Sequence, residues 1–254
     1  MIYFIGAGPG AVDLITVRGR DLLERADVVV YAGSLVSKEH LEYCRPDAQI
    51  YNSANMTLED VMEIVTMEEQ MGKLVVRLHT GDPSIYGAIR EQMVELDRVS
   101  IPYEVVPGVS SFTGAAAAIN REFTLPGVSQ TVILTRVEGR TPVPSNEDLE
   151  KLASIGASMA IFLSISMIDK VVEKLKNGYK KNVPIAVVER ATWPDERIIM
   201  GHLDDIADKV KENNITKCAQ ILVGDFIDSE FEKSLLYDKS FSHMFREAET
   251  SDNE

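Results

Sequence analysis

The sequence has few of the residue types that build disulfides, metal sites or membrane segments. It contains two cysteines, Cys44 and Cys218, and no C-x-x-C pair, which favours a reducing cytoplasm where thiols stay free. Its four histidines are scattered and none stands at metal-ligand spacing from a cysteine or an acid, so we expect no protein-bound metal. No apolar run approaches the roughly 20 residues that cross a bilayer, and the first residues lack the basic flank of a secretory signal. We therefore expect a cytoplasmic protein with no membrane partner.

Positive charge is also scarce. Lysine and arginine number 26 against 40 aspartates and glutamates, which leaves a net charge of −14. Nucleic-acid binders need a basic face, so this class of protein is excluded. Part of the excess lies in residues 225–254, which carry nine acids and three bases, and from about Glu247 we expect a frayed tail. An anionic ligand would then need a local cluster of arginines.

Strand-like runs alternate with helix-like runs along the chain, which is the pattern of an α/β protein. The clearest helix is Leu58–Gln70, where apolar residues recur at helical spacing after Thr57 as an N-cap. The connector Glu122–Gly127 marks a domain boundary. We predict two α/β domains with a cofactor cleft between them, over residues 1–121 and 122–235, and an acidic, flexible tail over residues 236–254.

Four short motifs follow apolar runs, where ligands of open α/β sheets gather past the carboxyl ends of strands. A glycine-rich loop there lets the backbone approach a ligand with no Cβ in the way. Four motifs in such places predict one crevice. They are Gly6-Ala7-Gly8-Pro9-Gly10, Thr80-Gly81-Asp82-Pro83, Pro107-Gly108-Val109-Ser110-Ser111 and the run from Gln130 to Arg136.

The first motif also fits G-x-G-x-x-A, the fingerprint of a nicotinamide dinucleotide site. Two features argue against that interpretation. Pro9 removes a backbone N–H where a pyrophosphate needs donors, and the second strand ends in Ala32 and Gly33 without an acid for a ribose hydroxyl. A dinucleotide oxidoreductase is therefore the weakest hypothesis. The first motif can also be interpreted as a tight strand-to-helix turn or as a loop shaped against a bulky ligand, and the latter is the better interpretation.

The second motif opens a helix predicted over Ile85–Leu96, with Asp82 as a natural N-cap and Pro83 at the first helical position. Capping explains neither Gly81 nor Gly87, which indicate close approach of another group to the backbone. Arginines stand in or beside the motifs, and arginine binds carboxylates in a bidentate manner. These arginines favour a polycarboxylate substrate, and they are Arg77, Arg90, Arg121, Arg136 and Arg140.

In this order the first three motifs resemble the S-adenosylmethionine-dependent tetrapyrrole methylases of cobalamin and sirohaem synthesis, over nearly the whole chain. Four longer strings resemble the branch of that family that methylates C11 of precorrin-4 or cobalt-precorrin-4. They are Tyr31–Val36, Glu122–Thr131, Thr135–Pro142 and Glu189–Glu196. Ala32 stands where uroporphyrinogen methylases have an aspartate, so no acid–base residue is carried over.

The resemblance implies two α/β domains, a homodimer, and S-adenosylmethionine as methyl donor between the domains. A tetrapyrrole of the precorrin class would be the substrate, and arginines would hold its carboxylates. The cofactor-binding positions implied are Pro9, Thr80, Gly81, Asp82, Ile85, Ser110, Ser111, Leu163 and Ala191. The arginines expected on the substrate are Arg121, Arg136 and Arg140.

The resemblance also implies in-line methyl transfer to a ring carbon, with the protein mainly positioning the reactants. Three alternatives remain open at this point. One is a methylase of another ring carbon of a related precorrin, or of a protein as in diphthine synthesis; the Thr135–Pro142 string argues against a protein acceptor. Another is a non-catalytic protein with the same cleft, and the third is the dinucleotide oxidoreductase above.

Overall fold

A computed structural model describes residues 1–248 and divides the chain into two compact units. The first unit comprises Met1–Ala118, Val188–Arg197 and Cys218–Gln220, and the second comprises Ile119–Val187, Ile198–Lys217 and the residues from Ile221 onward. Helices alternate with strands through both units and the strands form two sheets. The predicted α/β class is confirmed, whereas the boundary expected after residue 121 stays a prediction.

The first sheet has five strands in the order β3-β2-β4-β1-β5, and neighbouring strands run parallel throughout it. Its central strands are largely apolar and have apolar clusters on both faces, as a parallel sheet requires. The strands are β1 (Ile2–Gly6), β2 (Val28–Tyr31), β3 (Gln49–Asn52), β4 (Val75–His79) and β5 (Tyr103–Val106).

Four α-helices accompany this sheet. The prediction for the second helix is confirmed at both ends, and Thr57 and Asp60 close a reciprocal capping box at its start. The helices are α1 (Val17–Leu23), α2 (Leu58–Gln70), α3 (Ile89–Arg98) and α4 (Ser111–Ala118).

The start of α3 differs from the prediction. The helix begins at Ile89 rather than Ile85, because Tyr86 and Ala88 have φ angles of +54° and +50°, which no right-handed helix contains. The Asp82 side chain accepts hydrogen bonds from the amide and hydroxyl of Ser84, which closes a turn rather than caps a helix. Gly87 therefore lies in a turn and not in a helix.

The second sheet has the order β6-β7-β10-β8-β9, with β7 parallel to β6 and antiparallel to β10. The last two strands of this order, β8 and β9, are consecutive in the chain and neighbours in the sheet. The strands are β6 (Val132–Arg136), β7 (Ser158–Phe162), β8 (Pro184–Glu189), β9 (Arg197–His202) and β10 (Ala219–Val223), and the helices are α5 (Leu149–Ala153), α6 (Ile168–Gly178) and α7 (Ile206–Glu212).

The C-terminal residues form turns as far as the structure describes them. A short 3-10 helix covers Leu235–Tyr237, and Arg246 donates to the backbone carbonyls of Leu236, Asp238 and Phe241. The predicted flexible tail extends beyond residue 248 and in that part lies outside the described residues. Within residues 1–248, the helices are too short or too polar to traverse a bilayer.

Candidate active site

Three of the four motifs meet at one edge of the first sheet. They follow β1, β4 and β5, which are neighbours in the order β4-β1-β5, so their carboxyl ends share an edge. Gly8 and Gly81 exchange backbone hydrogen bonds, with N–O distances of 3.3 and 2.8 Å. The Asp82 carboxylate accepts a hydrogen bond from the Gly108 amide at 2.9 Å. Three of the four motifs expected to line one crevice thus form a single cluster of hydrogen-bonded loops. We call residues 6–11, 80–88 and 107–111 the loop cluster.

The glycines of the loop cluster are required by the protein's own backbone. A Cβ on Gly108 would lie 2.1 Å from the Gly81 carbonyl oxygen, and one on Gly6 would lie 2.5 Å from the same atom. A Cβ on Gly87 would lie 2.2 Å from the Pro83 carbonyl oxygen. At Gly87 the close approach that the sequence indicated is therefore made by a neighbouring backbone segment, whereas a Cβ on Gly81 would meet only ordinary contacts at 3.6 Å or more.

Three of the four backbone amides in the first loop, residues 7–11, are already used, and Pro9 has none to offer. The amide of Ala7 donates to the His79 carbonyl at 2.7 Å, and that of Gly8 donates to Gly81. The amide of Ala11 donates to the Thr192 hydroxyl at 3.0 Å. A pyrophosphate at a Gly-rich loop needs several such amides to point at it, and these hydrogen bonds argue against a dinucleotide site here.

Asp82 is held as a carboxylate. Burial alone raises the pKa of this side chain, but hydrogen bonds from the Ser84 hydroxyl, the Gly108 amide and the Ser84 amide outweigh that effect. Its pKa therefore lies below the ordinary value. The ionised Asp82 side chain bonds the second loop to the third. It therefore joins two loops rather than capping a helix as the sequence predicted.

The rim of the loop cluster offers unused hydroxyl groups. Thr80 and Ser110 have no hydrogen-bond partner for their hydroxyls among residues 1–248, although Ser110 is 8% exposed. The hydroxyl of Ser111 instead donates to Gln220 at 2.9 Å. The hydroxyls of Thr80 and Ser110 are therefore available to a ligand at the loop cluster.

A segment distant in sequence is bonded to the first loop. The Trp193 indole donates to the Pro9 carbonyl at 2.9 Å, and its ring packs so closely that a Cβ on Gly10 would lie 2.1 Å from it. Ala191 of this segment is buried, between Arg190 and Thr192 with φ angles of +50° and +70°. Strained backbone of this kind concentrates at ligand sites. The sequence indicated Ala191 only through the resemblance and gave no role to Trp193.

Leu163 lies in the second unit, directly after β7. It has a φ angle of +53° and a side chain that is 64% exposed, both unusual for a large apolar residue. Such an outlier supports a functional hypothesis for the position. Its assignment to the cofactor stays a prediction.

A family model described as Tetrapyrrole (Corrin/Porphyrin) Methylases matches residues 1–207. The chain belongs to this family. The methylase is 52% identical over 249 residues to the cobalt-precorrin-4 C(11)-methyltransferase of Methanocaldococcus jannaschii, covering 97% of this chain and 96% of that relative.

Two solved structures resemble this methylase. The X-ray structure of the cobalt precorrin-4 methyltransferase CbiF, a cobalamin biosynthetic enzyme, has a TM-score of 0.87 and 48% identity, and covers 90% of this chain and 96% of its own. A uroporphyrin-III C-methyltransferase from Thermus thermophilus, complexed with S-adenosyl homocysteine, has a TM-score of 0.74 and 25% identity, covering 89% of this chain and 98% of its own.

Of four arginines that the sequence placed beside the motifs, three donate hydrogen bonds to other described residues and one does not. Arg77 is buried in the first sheet and donates to the Val30 carbonyl and the Gln92 side chain. In the second unit, Arg121 donates to the carbonyls of Ile227 and Asn120, and Arg136 to those of Thr141 and Pro142. Arg140 is exposed and has no hydrogen-bond or ion-pair partner within residues 1–248. Arg140 therefore has all its donors available for a ligand.

A cleft of about 360 Å³ lies beside Arg136 in the second unit. Three cations border it, and one of them, Lys174, pairs with Asp148 at 2.5 Å. Two acids, Glu138 and Asp148, also line the cleft, so its lining has a formal charge of only +1 in an otherwise acidic protein. The lining residues are Arg136, Val137, Glu138, Val143, Pro144, Ser145, Asp148, Leu149, Lys151 and Lys174.

Two buried histidines near the loop cluster were not assigned from the sequence. The ring nitrogens of His40 lie 3.1 and 2.9 Å from the carbonyls of Ser37 and Ala7, so His40 supports the first loop from below. His79 is 5% exposed and its Nε2 has no hydrogen-bond partner among the described residues. Within residues 1–248, no three His, Cys, Asp or Glu side chains are grouped so that they could hold a metal ion.

Proposed function

We propose that this methylase transfers a methyl group from S-adenosylmethionine to C11 of precorrin-4 or cobalt-precorrin-4 in the biosynthesis of cobalamin. The observation that carries the proposal is the convergence of the three motif loops into one bonded cluster with unbonded hydroxyls at its rim. The similarity to C11-methyltransferases along nearly the whole chain supports the choice of ring carbon.

The proposed contribution of the protein is positioning. When bound, S-adenosylmethionine supplies a methyl group activated on a sulfonium, which an electron-rich ring carbon can take in line. Holding two reactants in that geometry is worth roughly 7–11 kcal/mol in favourable cases. The fixed backbone of the loop cluster suits such a role because its loops are bonded to each other. We assign no acid–base residue.

The cofactor and substrate positions remain those that the resemblance implies. In this proposal the loop cluster and the segment around Trp193 contact the cofactor, and arginines of the second unit recognise the carboxylates of the macrocycle, by direct contact or by positioning another arginine. The cofactor positions are Pro9, Thr80, Gly81, Asp82, Ile85, Ser110, Ser111, Leu163 and Ala191, and the substrate positions are Arg121, Arg136 and Arg140.

We further propose that the methylase is a cytoplasmic homodimer. Size-exclusion chromatography with light scattering tests the oligomeric state, and we expect about twice the 28.2 kDa mass of one chain. A particle of one chain's mass across the concentrations used by the enzyme assay would contradict the dimer.

The test of the function is methyl transfer to two acceptors in parallel. Purified protein is incubated with methyl-labelled S-adenosylmethionine and either metal-free precorrin-4 or cobalt-precorrin-4, and the methylated carbon is identified by NMR. We expect label at C11 of at least one acceptor and formation of S-adenosylhomocysteine. Label at another carbon would support the alternative of a different precorrin methylase. Binding of both ligands without transfer would support a non-catalytic protein.

A further inference from the structure

The loop after β6 is held at its base by the strand ends and helix around it. The amide of Val137 donates to the Ser164 hydroxyl at 2.9 Å, and this fully buried hydroxyl donates in turn to the Phe162 carbonyl at 2.7 Å. The Lys170 ammonium of α6 donates to the Glu138 carbonyl at 2.9 Å. The first two residues of the loop are therefore fixed to β7 and α6.

A second anchor holds the far side of the same loop. Arg136, the last residue of β6, donates from Nη1 to the Thr141 carbonyl at 3.0 Å and from Nη2 to the Pro142 carbonyl at 2.8 Å. Hydrogen bonds from a charged donor are stronger than neutral ones. The guanidinium thus closes residues 136–142 into a ring, which we call the arginine loop.

Arg140 lies between the two anchors. Its side chain is exposed, and within residues 1–248 no acid or carbonyl accepts from it. The guanidinium is a planar fork that matches a carboxylate in geometry and charge. A backbone fixed on both sides of this residue reduces the freedom that Arg140 loses when it binds.

We propose that Arg140 contacts a carboxylate of the substrate, and that Arg136 is a positioning residue that acts through it. The inference rests on the proposed function, because it names which arginine recognises the polycarboxylate tetrapyrrole. It divides a set of residues that the sequence treated as equivalent: Arg136 uses two of its donors to shape the arginine loop, whereas Arg140 keeps its donors for the ligand.

The test measures binding of a stable tetrapyrrole rather than turnover. Uroporphyrin III, with eight carboxylates, and coproporphyrin III, with four, are titrated into the intact protein, and quenching of porphyrin fluorescence gives the dissociation constant. For Arg140→Ala we expect a loss of affinity for uroporphyrin III of about tenfold, the size of a lost charged hydrogen bond. We expect a smaller loss for coproporphyrin III.

A double-mutant cycle separates contact from positioning. If Arg136 acts through Arg140, Arg136→Ala lowers uroporphyrin affinity on its own, and the double variant is no weaker than Arg140→Ala alone. Losses that multiply in the double variant would show that Arg136 binds the ligand itself and would overturn its positioning role. Unchanged affinity in Arg140→Ala, or no binding by the parent protein, would overturn the whole inference.

Two controls keep the outcome separate from folding and from the proposed function. Arg98→Ala removes an exposed arginine that pairs with Glu95 at the end of α3 and should leave porphyrin affinity unchanged. Calorimetric titration with S-adenosylhomocysteine should give the parent affinity in all arginine variants, which reports an intact fold. Methyl transfer by the parent protein to precorrin-4 together with unaltered porphyrin binding in Arg140→Ala would uphold the function and reject the inference.

Discussion

The least expected residue of the first unit is His79, the last residue of β4. It is buried with an unpartnered Nε2 among the described residues, and its ring centroid lies 6.0 Å from that of Phe4. Arg77, two residues earlier, is buried as well, and burial lowers the pKa of Arg77 to about 10. Burial first, and the charge of Arg77 second, lower the pKa of His79 to about 3. His79 is therefore neutral in the folded protein at any pH where the enzyme is expected to work.

The low pKa of His79 predicts a loss of stability in mild acid. The unfolded chain takes up a proton on this residue below a pKa of about 6.5, whereas the folded chain does not until about pH 3. The free energy of unfolding should thus fall as pH falls below 6.5, by about 2 kcal/mol between pH 7.5 and 5.0 from this residue alone. His79→Phe should remove that part of the pH dependence in urea unfolding followed by circular dichroism.

The matched control is His202→Gln, a change at the exposed end of β9 that leaves His79 in place. We expect this variant to lose as much stability as the parent between pH 7.5 and 5.0. A His79→Phe variant whose unfolding free energy fell as steeply as that of the parent would contradict the assignment of the acid sensitivity to His79.

Three loops behave as one element in this fold, because each is bonded to the next. Gly108→Ala tests this directly, since its Cβ would lie 2.1 Å from the Gly81 carbonyl oxygen. No rotamer change can relieve a clash between two backbone segments, so we expect the loops to separate. The expected result is a loss of more than about 3 kcal/mol of stability, the range of a severe core clash, and loss of S-adenosylhomocysteine binding. Trp193, the single tryptophan, packs on the first loop and reports the change by fluorescence.

Gly72→Ala is the control for the glycine-to-alanine change itself. Gly72 has a φ angle of +80°, and among the described residues no atom lies within 4 Å of the point that a Cβ would occupy. Its substitution therefore costs only the backbone strain of about 1 kcal/mol. The variant should bind S-adenosylhomocysteine like the parent. If Gly108→Ala matched Gly72→Ala in stability and binding, the glycines of the loop cluster would not be required by backbone packing.

Regular elements could be predicted from the sequence, but the contacts between loops could not. The limits of α2 follow from its local apolar pattern and the cap at Thr57, and the structure has this helix at the predicted residues. The helix start at Ile89 was missed because Asp82 and Pro83 form a good cap locally, while Asp82 is instead bonded to Gly108 across 26 residues. The strand β3 was missed because its side chains are mostly exposed and show no apolar pattern. The hydrogen bond from Trp193 to Pro9 joins residues 184 positions apart in the sequence. Local sequence periodicity carries no information about contacts at such a separation.

The net charge of the whole molecule affects how fast a polycarboxylate substrate associates with it. The chain carries a net charge of −14, and the proposed tetrapyrrole substrate is an anion as well. Over distances beyond about 10 Å in 0.1 M salt this repulsion is screened, whereas a direct arginine–carboxylate contact is screened much less. Long-range repulsion should therefore slow association, while the arginine loop acts only once the ligand is close.

This argument predicts that salt speeds binding. In stopped-flow mixing of the parent protein with uroporphyrin III, the association rate constant should rise as ionic strength increases from about 0.02 to 0.2 M, because repulsion between like charges is screened. Removing the positive charge in Arg140→Ala should steepen the rise, since the remaining field is more negative, whereas Arg140→Lys should follow the parent. An association rate that fell with salt would mean that the cations of the cleft, and not the net charge, govern the approach of the ligand.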